Sequence, residues 1–320
     1  MSWLRSSLFV VGFTAALAAQ ALPPAPGKMF DVGNGRRLHL LCSGSGSPSI
    51  IIEAGASAFA IDYTLVQREL EKTHRVCSYD RAGSGWSDPL PPFTPAKDTA
   101  DLHALLQAAN EPPPYVLVGA SRGGLLIRGY LAAYPSEVVG LVFIDPATED
   151  RLFGVVGGRP MAIAQMTAAE MRSTIPSRPM RVPKRPIQQG PPFTLLPAEL
   201  YKQRLLLDER LISLMPETLT PEQLLAYQES ERVFLASLLA TRKSGQPFGD
   251  RPTIVLARGK GGNEGIETSQ RLIAGLSTNS RFSVIAGSGH EIHLYEPRAV
   301  VNAVNDVLES IAKKTQLRPE

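Results

Sequence analysis

One serine of the chain lies in a pattern that suits a nucleophile. Ser121 is the centre of Gly119-Ala120-Ser121-Arg122-Gly123, which follows the apolar run 115–118 and precedes a helical pattern. In a G-x-S-x-G turn between a strand and a helix, the serine hydroxyl is exposed above the sheet, and the glycines leave room where a Cβ would strike a neighbouring element. The alternative is a glycine-rich turn with an uninvolved serine. Because this is the only such match in the chain, we predict that Ser121 is a catalytic nucleophile.

A serine hydroxyl is a weak nucleophile at neutral pH and needs an adjacent base. Two histidines, His290 and His293, follow Ser121 along the chain, and His290 lies in a glycine-rich loop directly after the last predicted strand. Ligands of open α/β sheets bind at such strand ends. We therefore predict that His290 is the base, the alternative being a structural loop histidine. The remaining histidines are predicted to be structural, and they are His39, His74 and His103.

The sequence His290-Glu291-Ile292-His293 does not match the zinc-protease motif, because that motif places its two histidines four residues apart on a helix. No other cluster in the sequence indicates a metal ion. We predict no metal and no other cofactor.

The acid that orients the base is less sharply defined. Asp145 ends the strand predicted at 138–144, so its carboxylate would emerge on the same side of the sheet as Ser121. The alternative position follows the next strand, where the loop carries Glu264 but no aspartate. Asp145 is the first choice and Glu264 the second, with Asp150 and Glu267 behind them. Asp145 has its own simpler explanation as the first residue of an Asp-Pro turn.

Two backbone amides are predicted to stabilise the negative charge that develops on a substrate carbonyl oxygen. One is the N–H of Arg122, the residue after the nucleophile. The second is the N–H of Ala56, in the turn that follows the apolar run 49–53. An ordinary glycine turn at 54–57 remains the alternative for Ala56.

Strand and helix patterns alternate along most of the chain, which predicts a doubly wound, mostly parallel sheet with helices on both faces. A turn at 33–35 separates the two strands of a hairpin. Further strands and helices follow from buried apolar runs and from helical spacing of leucines. The predicted strands are 28–32, 37–42, 49–53, 75–79, 115–118, 138–144, 252–257 and 282–285. Besides the helix that follows Ser121, the predicted helices outside the middle of the chain are 62–71, 96–110, 267–276 and 297–313.

The middle of the chain, 151–249, has a different pattern. It contains no strong buried strand but shows amphipathic helical patterns near 161–173, 197–214 and 221–241, with a proline-rich break at 176–192. Helices inserted between strands suggest a cap, and such lids cover active sites and set substrate size. We predict a core formed by 28–150 and 250–314 with a helical cap at 151–249.

Composition and the N-terminus limit the class of protein. The chain of 320 residues has 43% apolar and 20% charged residues and a net charge of +3, as expected of a globular protein with one domain and an insertion. Its basic residues are dispersed and lack an aromatic-basic motif, so nucleic-acid binding is not predicted. Residues 1–21 resemble a secretory signal peptide with cleavage near 18–21. A secreted or periplasmic protein without stable membrane insertion is expected, an uncleaved anchor helix is the alternative, and the oligomeric state stays open.

The chain has two cysteines, Cys42 and Cys77, and both fall in predicted strands. An oxidising compartment would permit a disulfide between them. Two buried free thiols are the alternative, and the sequence alone favours neither.

Three segments together resemble the α/β-hydrolase superfamily across about 28–314. They are the sequences R-V-C-S-Y-D-R-A-G-S-G-W-S-D from residue 75, V-L-V-G-A-S-R-G-G from residue 116 and G-S-G-H-E-I-H from residue 287. They look like the capped group that includes esterases and prolyl aminopeptidase-like enzymes. The resemblance implies an eight-stranded sheet whose second strand is antiparallel and adjacent to the fourth. That adjacency would place Cys42 beside Cys77, and it favours a disulfide in an exported chain.

The chain departs from the family pattern at two places. Ala120 stands where many relatives carry histidine, which would alter the shape of the pocket. Glu53-Ala54-Gly55 replaces the frequent His-Gly of the oxyanion turn, so the assignment of Ala56 is less secure. A serine at 121 also argues against epoxide hydrolases and haloalkane dehalogenases, which use aspartate there.

The residues and the resemblance together predict a serine hydrolase that cleaves an ester of a small or medium substrate through an acyl-enzyme. An aminopeptidase or amidase is the second interpretation, kept open by acidic residues of the predicted cap, which are Glu170, Glu199 and Asp208. A non-catalytic binding protein with a hydrolase fold is the alternative from another class.

Overall fold

A computed structural model describes residues 22–150 and 153–318, apart from the side chain of residue 153. The predicted leader at 1–21 lies outside the described residues. Within the described ranges, no helix has the length and apolar character needed to span a membrane.

A single eight-stranded sheet forms the centre of the protein. Its strands coincide with the apolar runs of the sequence to within one or two residues. They are β1 (Lys28–Asp31), β2 (Arg37–Ser43), β3 (Ser49–Glu53), β4 (Val76–Tyr79), β5 (Tyr115–Ala120), β6 (Val138–Ile144), β11 (Thr253–Arg258) and β12 (Ser280–Ile285), with β7 to β10 lying in the segment between β6 and β11.

The order of strands across the sheet is β1-β2-β4-β3-β5-β6-β11-β12. β2 runs antiparallel to both of its neighbours, while every pair from β4 to β12 is parallel. The predicted fold class and the antiparallel second strand are therefore confirmed. Because the parallel strands all end at one edge, the loops after β5, β6 and β12 meet there.

Helices cover both faces of the sheet. Side chains alternate across each central strand, so that Ile51 packs on one face and Ile50 and Ile52 on the other. One face is covered by α2 (Pro95–Ala108), α3 (Arg122–Ala133) and α7 (Glu264–Ala274), and the other by α1 (Thr64–Leu70), α8 (Ile292–Tyr295) and α9 (Pro297–Lys313). The helix predicted at 62–71 begins instead with a 3₁₀ turn at Ala60–Tyr63.

The inserted segment between β6 and β11 contains the helices α4 (Ala168–Ser173), α5 (Ala198–Leu214) and α6 (Pro221–Lys243). The last two match their predictions closely, and α6 begins where Thr220 and Gln223 form a capping box. Short 3₁₀ turns lie at Ile163–Gln165 and Phe193–Leu195.

The insertion also contains short strands that the helical patterns did not predict, although none is the strong buried strand whose absence was expected. Two short antiparallel pairs are present, β7 (Phe153–Val156) with β8 (Arg159–Ala162) and β9 (Met180–Arg181) with β10 (Thr218–Leu219). The helical pattern near 161–173 is divided, because the Thr167 capping box starts α4 only at residue 168. These strands are short and largely exposed, so they leave no buried apolar run in the sequence.

Candidate active site

Ser121 lies between the end of β5 and the start of α3, as the sequence predicted. Its backbone has φ 49° and ψ −117°, a conformation that costs a non-glycine residue about 1–3 kcal/mol. Hydrogen bonds hold this turn: the Ser121 amide donates to the Ile144 carbonyl at 3.0 Å, and the Ser121 carbonyl accepts from Gly124 at 3.0 Å and Ala147 at 2.9 Å. The strained bend separates the serine side chain from both the strand and the helix.

The glycines on either side of Ser121 are required by space. A Cβ at Gly119 would lie 2.7 Å from the Gly123 carbonyl oxygen. A Cβ at Gly123 would lie 2.2 Å from the Glu53 carbonyl oxygen, at the end of the neighbouring strand. Real Cβ contacts do not come this close, so the motif allows α3 to pack against β3 and β5.

His290 and Asp145 meet at the same edge of the sheet. His290 follows β12, Asp145 follows β6, and the Nδ1 atom of His290 is hydrogen-bonded to Asp145 Oδ2. A carboxylate on Nδ1 holds the ring so that Nε2 can accept a proton. His290 is partly exposed, whereas Asp145 is 2% exposed.

The Asp145 carboxylate is stabilised as an anion. Burial alone would raise its pKa, but hydrogen bonds from His290 and Gln270 and the positive charge of Arg258 lower the pKa below its usual value. Gln270 Nε2 donates to Oδ1 at 2.9 Å, and the Arg258 amide donates to the same oxygen at 3.3 Å. Gln270 and Arg258 were not singled out in the sequence, since neither belongs to a motif.

The other acidic candidates do not contact His290. Glu264 is exposed at the first turn of α7. Glu267 pairs with Arg271 at 2.7 Å, and Asp150 pairs with Arg242 on α6. Of the four carboxylates considered, the structure brings Asp145 to the histidine.

Ser121 and His290 line one cavity of about 190 Å³. Among the described residues, no hydrogen bond joins the Ser121 hydroxyl to the His290 ring. Such bonds are commonly long in free enzymes and shorten when substrate binds. The remaining wall comes from the turn at 55–58, from Tyr63, Ala120, Glu291 and His293, and from three residues of the inserted segment, which are Gln188, Phe193 and Arg204.

The turn that follows β3 lies directly beside Ser121. A Cβ built on Gly55 would be 3.6 Å from Ser121 Cβ, and Ala56 is exposed in the cavity wall. The Arg122 amide is in the first turn of α3, where backbone N–H groups have no partner within the helix. The two residues predicted to supply oxyanion donors thus lie next to Ser121, Ala56 in the adjacent turn and Arg122 directly after the serine in sequence.

A buried ionic network fixes that turn, and sequence analysis missed it. Arg81 donates to Glu53 Oε1 at 2.6 Å, to the Ala54 carbonyl at 2.7 Å and to the Gly55 carbonyl at 2.5 Å. The hydroxyl of Tyr79 is also hydrogen-bonded to Glu53. Burial raises the pKa of Glu53, and the charge of Arg81 opposes that rise. The one available signal was a glutamate at the end of an otherwise apolar strand.

The inserted segment contributes a buried arginine to the cavity. Arg204 on α5 is fully buried, its Nε lies 3.1 Å from Asp62 Oδ1, and its guanidinium stacks 3.4 Å above the ring of Phe193. Burial raises the pKa of Asp62 to about 6, although Arg204 favours its charged form. A helical pattern does not reveal such a contact, because the partners are far apart in sequence.

A second cavity of about 480 Å³ adjoins the first at Ala56. Its walls are mainly apolar and come from both the core and the inserted segment. Charged and aromatic side chains in the wall are Arg81, Phe93, Asp98, Arg122 and Tyr227. Arg122 is held by Glu231 on α6, with nitrogen-oxygen distances of 2.6 and 3.1 Å.

The three early histidines lie away from this cavity. His39 is buried on β2, where its Nδ1 is 2.8 Å from Asp80 Oδ2. His103 stacks on Tyr134 with ring centroids 3.9 Å apart. His74 follows α1.

Cys42 and Cys77 form a disulfide between β2 and β4, where they are directly opposite each other in the antiparallel register with Cα atoms 4.1 Å apart. Glu111 lies close to the two sulfurs, and in the described ranges these three residues are the one group of side chains close enough together to hold a metal ion. Because the sulfurs are bonded to each other, they are not available as thiolate ligands.

Comparisons with known proteins identify the family of the chain. The sequence model of the Alpha/beta hydrolase family matches residues 40–304. The chain belongs to this family. The family assignment places the segments around Ser121, Asp145 and His290 in one homologous unit.

The relatives of this chain either have low sequence identity to it or match only part of its length. A "Probable transporter efuK" of Hormonema carpetanum is 36% identical over 130 residues, which are 38% of the chain but 18% of that relative's own length. The "Uncharacterized protein YqjL" of Bacillus subtilis is 24% identical, with 82% of the chain and 85% of the relative covered. A putative lipase of Acinetobacter baumannii AYE has a TM-score of 0.62 at 18% identity, over 90% of the chain and 92% of the lipase. At that identity, the likeness shows a shared fold.

Proposed function

We propose that this protein is a serine hydrolase that cleaves an ester of a small or medium substrate through an acyl-enzyme. The observation that carries the proposal is the strained turn at Ser121, which opens into the same cavity as His290, whose Nδ1 is bonded to Asp145. These three residues lie on separate loops but meet at one edge of the sheet. Each is the residue type that its step of ester hydrolysis requires.

The proposed reaction follows from the hydrogen-bond capacity of each group. Ser121 Oγ attacks the carbonyl carbon of the ester while His290 Nε2 takes the hydroxyl proton. The amides of Arg122 and Ala56 donate to the oxyanion, and Asp145 stabilises the positive ring of His290. His290 then gives the proton to the departing alkoxide, which leaves as an alcohol. A water molecule then attacks the acyl carbon while His290 takes its proton. His290 returns this proton to Ser121 Oγ as the acid leaves.

We propose that the inserted segment acts as a cap over this reaction. Gln188, Phe193 and Arg204 form part of the wall of the cavity that Ser121 and His290 line. A cap that supplies one wall of the cavity restricts the size of the substrate and reduces the access of water.

The acidic residues of the insertion give no support to an aminopeptidase. Glu170 caps α4, Glu199 pairs with Lys202, and Asp208 pairs with Arg185. Within the described residues, none of these three side chains lines the Ser121 cavity.

A parallel assay tests this assignment. p-Nitrophenyl esters with acyl chains of two to eight carbons are compared with amino-acid p-nitroanilides, using the wild type and Ser121→Ala. We expect turnover of the esters that is lost in Ser121→Ala. Turnover of the nitroanilides alone would replace the esterase with an aminopeptidase, and ester turnover that survives Ser121→Ala would remove Ser121 from the mechanism.

We also propose that the protein is exported. The signal-like sequence at 1–21 and the Cys42–Cys77 disulfide both support an oxidising compartment. Mass spectrometry of the protein from the producing cell and its medium tests this, with a new N-terminus near residues 18–22 as the expected result. An intact N-terminus on protein confined to the cell would contradict export by a cleaved leader.

A further inference from the structure

His293 is a buried imidazole without hydrogen bonds in the wall of the Ser121 cavity. It lies on α8, is 4% exposed, and neither Nδ1 nor Nε2 has a hydrogen-bond partner among the described residues. Its ring stacks on Tyr63 with centroids 4.3 Å apart and an interplanar angle of 17°. The stacking fixes the orientation of a ring whose two polar atoms are unused by the protein.

The environment of His293 keeps it neutral. Burial, together with the charges of His290 and Arg204, lowers the pKa of His293 to about 3. A neutral imidazole carries one N–H donor and one nitrogen acceptor. His293 can therefore both donate and accept, and it bears no charge that would attract an anion.

The neighbouring polar group in the same wall is already balanced. The Arg204 charge faces Asp62 at 3.1 Å, and a second nitrogen of Arg204 donates to Gln188 Oε1 at 2.9 Å. A substrate carboxylate would compete with Asp62 for that charge. A neutral oxygen group meets no such competition.

Resting on the proposed function, we propose that the substrate group in this cavity carries a hydroxyl or carbonyl oxygen that hydrogen-bonds to His293. An alkyl group of the same size would leave both ring nitrogens without a partner, and a buried polar group left without a partner is unfavourable. His293 thus determines specificity and takes no part in the proton transfers. A site that hydrogen-bonds a substrate oxygen discriminates strongly against a substrate that lacks this oxygen. An apolar pocket discriminates less strongly between substrates that differ by one methylene group.

Two pairs of nearly isosteric esters test the proposal. Ethyl 3-hydroxybutyrate is compared with ethyl 3-methylbutyrate, and 2-hydroxyethyl butyrate with propyl butyrate, by titration of the released acid. We expect the hydroxyl member of at least one pair to have a kcat/KM about 10- to 100-fold higher. The pair that shows the preference identifies whether the acyl or the alcohol part occupies the cavity.

Variants connect that preference to the imidazole. His293→Phe keeps a ring that can stack on Tyr63 but removes both nitrogens, and it should abolish the preference. His293→Gln retains a donor and an acceptor and should keep part of it. His103→Phe is the matched control, because His103 also stacks on a tyrosine but lies outside the cavity.

Binding to Ser121→Ala separates the two proposals. This variant cannot form an acyl-enzyme, so calorimetry with the same ester pairs measures recognition without turnover. Tighter binding of a hydroxyl ester that is lost in Ser121→Ala/His293→Phe supports the inference even if the wild type hydrolyses none of the esters, a result that would count against the proposed function alone. Equal binding of both members in both pairs, or a preference that survives His293→Phe, would overturn the role of His293.

Discussion

The core and the inserted segment place different kinds of residues at and around the Ser121 cavity. The core contributes Ser121, Asp145 and His290, each on a loop that follows a parallel strand. The insertion contributes Arg204, which pairs with Asp62 of the core. A second ion pair between the insertion and the core, Glu231 with Arg122, lies at the adjoining cavity. In the proposed mechanism, the core positions the reacting groups, whereas the insertion supplies part of the cavity wall and ion pairs to the core. Changes in the two regions should therefore affect different quantities.

The largest expected effect lies in the core, at the acid. Asp145→Asn should lower kcat about 10⁴-fold, because the amide does not stabilise the His290 tautomer and its positive charge. Glu264→Gln is the matched control, since Glu264 is exposed on α7 and does not contact His290, and its activity should remain within about twofold of wild type. Steady-state kinetics of both variants decide between the two carboxylates, and the reverse result would move the acid to the loop after β11.

The next largest effect concerns the fastening of the insertion. Arg204→Met leaves Asp62 buried without its counter-charge and should lower the free energy of unfolding by about 3–5 kcal/mol near neutral pH. In the folded protein the pKa of Asp62 is raised to about 6 from an ordinary value of 3.8, so the folded state binds this proton more tightly than the unfolded state does. The stability that comes from protonated Asp62 is therefore present at low pH and is lost as the pH rises through 6.

Urea unfolding at pH 5 and pH 8 measures this effect. The destabilisation caused by Arg204→Met should be smaller at pH 5, where Asp62 takes up a proton. The double variant Asp62→Asn/Arg204→Met should recover most of the stability and lose the pH dependence. A destabilisation that is equal at both pH values in the single variant would contradict the role given to this ion pair.

A smaller effect is expected at Arg81, which holds the turn at 53–55. Arg81→Gln should lower kcat about 100-fold with KM within a few-fold of wild type, because the turn positions a donor for the transition state. Arg75→Gln is the control, since Arg75 also pairs with a glutamate and a backbone carbonyl but at the other end of β4. A change confined to thermal stability or KM would give Arg81 a structural role only.

The two regions also differ in how far the sequence predicts them. Buried strands such as Ile50-Ile51-Ile52 require continuous apolar runs, and the G-x-S-x-G turn requires small residues where α3 crosses β3. The sheet, the elbow and the loops carrying Asp145 and His290 were therefore predictable. The short strands of the insertion are exposed and have no such requirement.

Contacts between distant residues explain what the sequence could not show. Arg204 and Asp62 are far apart along the chain, and a helical pattern assigns a polar residue to the surface rather than to a buried ion pair. The Arg81–Glu53 network is hidden in a similar way, because Glu53 is unusual at the end of an apolar strand but nothing in the sequence connects it with Arg81. His293 was considered only as a second base, since its stacking on Tyr63 and its unpaired nitrogens depend on the fold.

The central claim is that Ser121 is an activated nucleophile, and covalent labelling tests it most directly. A fluorophosphonate probe is added to the purified protein, and the modified residue is located by peptide mass spectrometry. We expect one adduct, on Ser121, with labelling strongly slowed in His290→Ala and absent in Ser121→Ala. No adduct on the wild type, or an adduct that persists in Ser121→Ala, would contradict the account and favour a binding protein with a hydrolase fold.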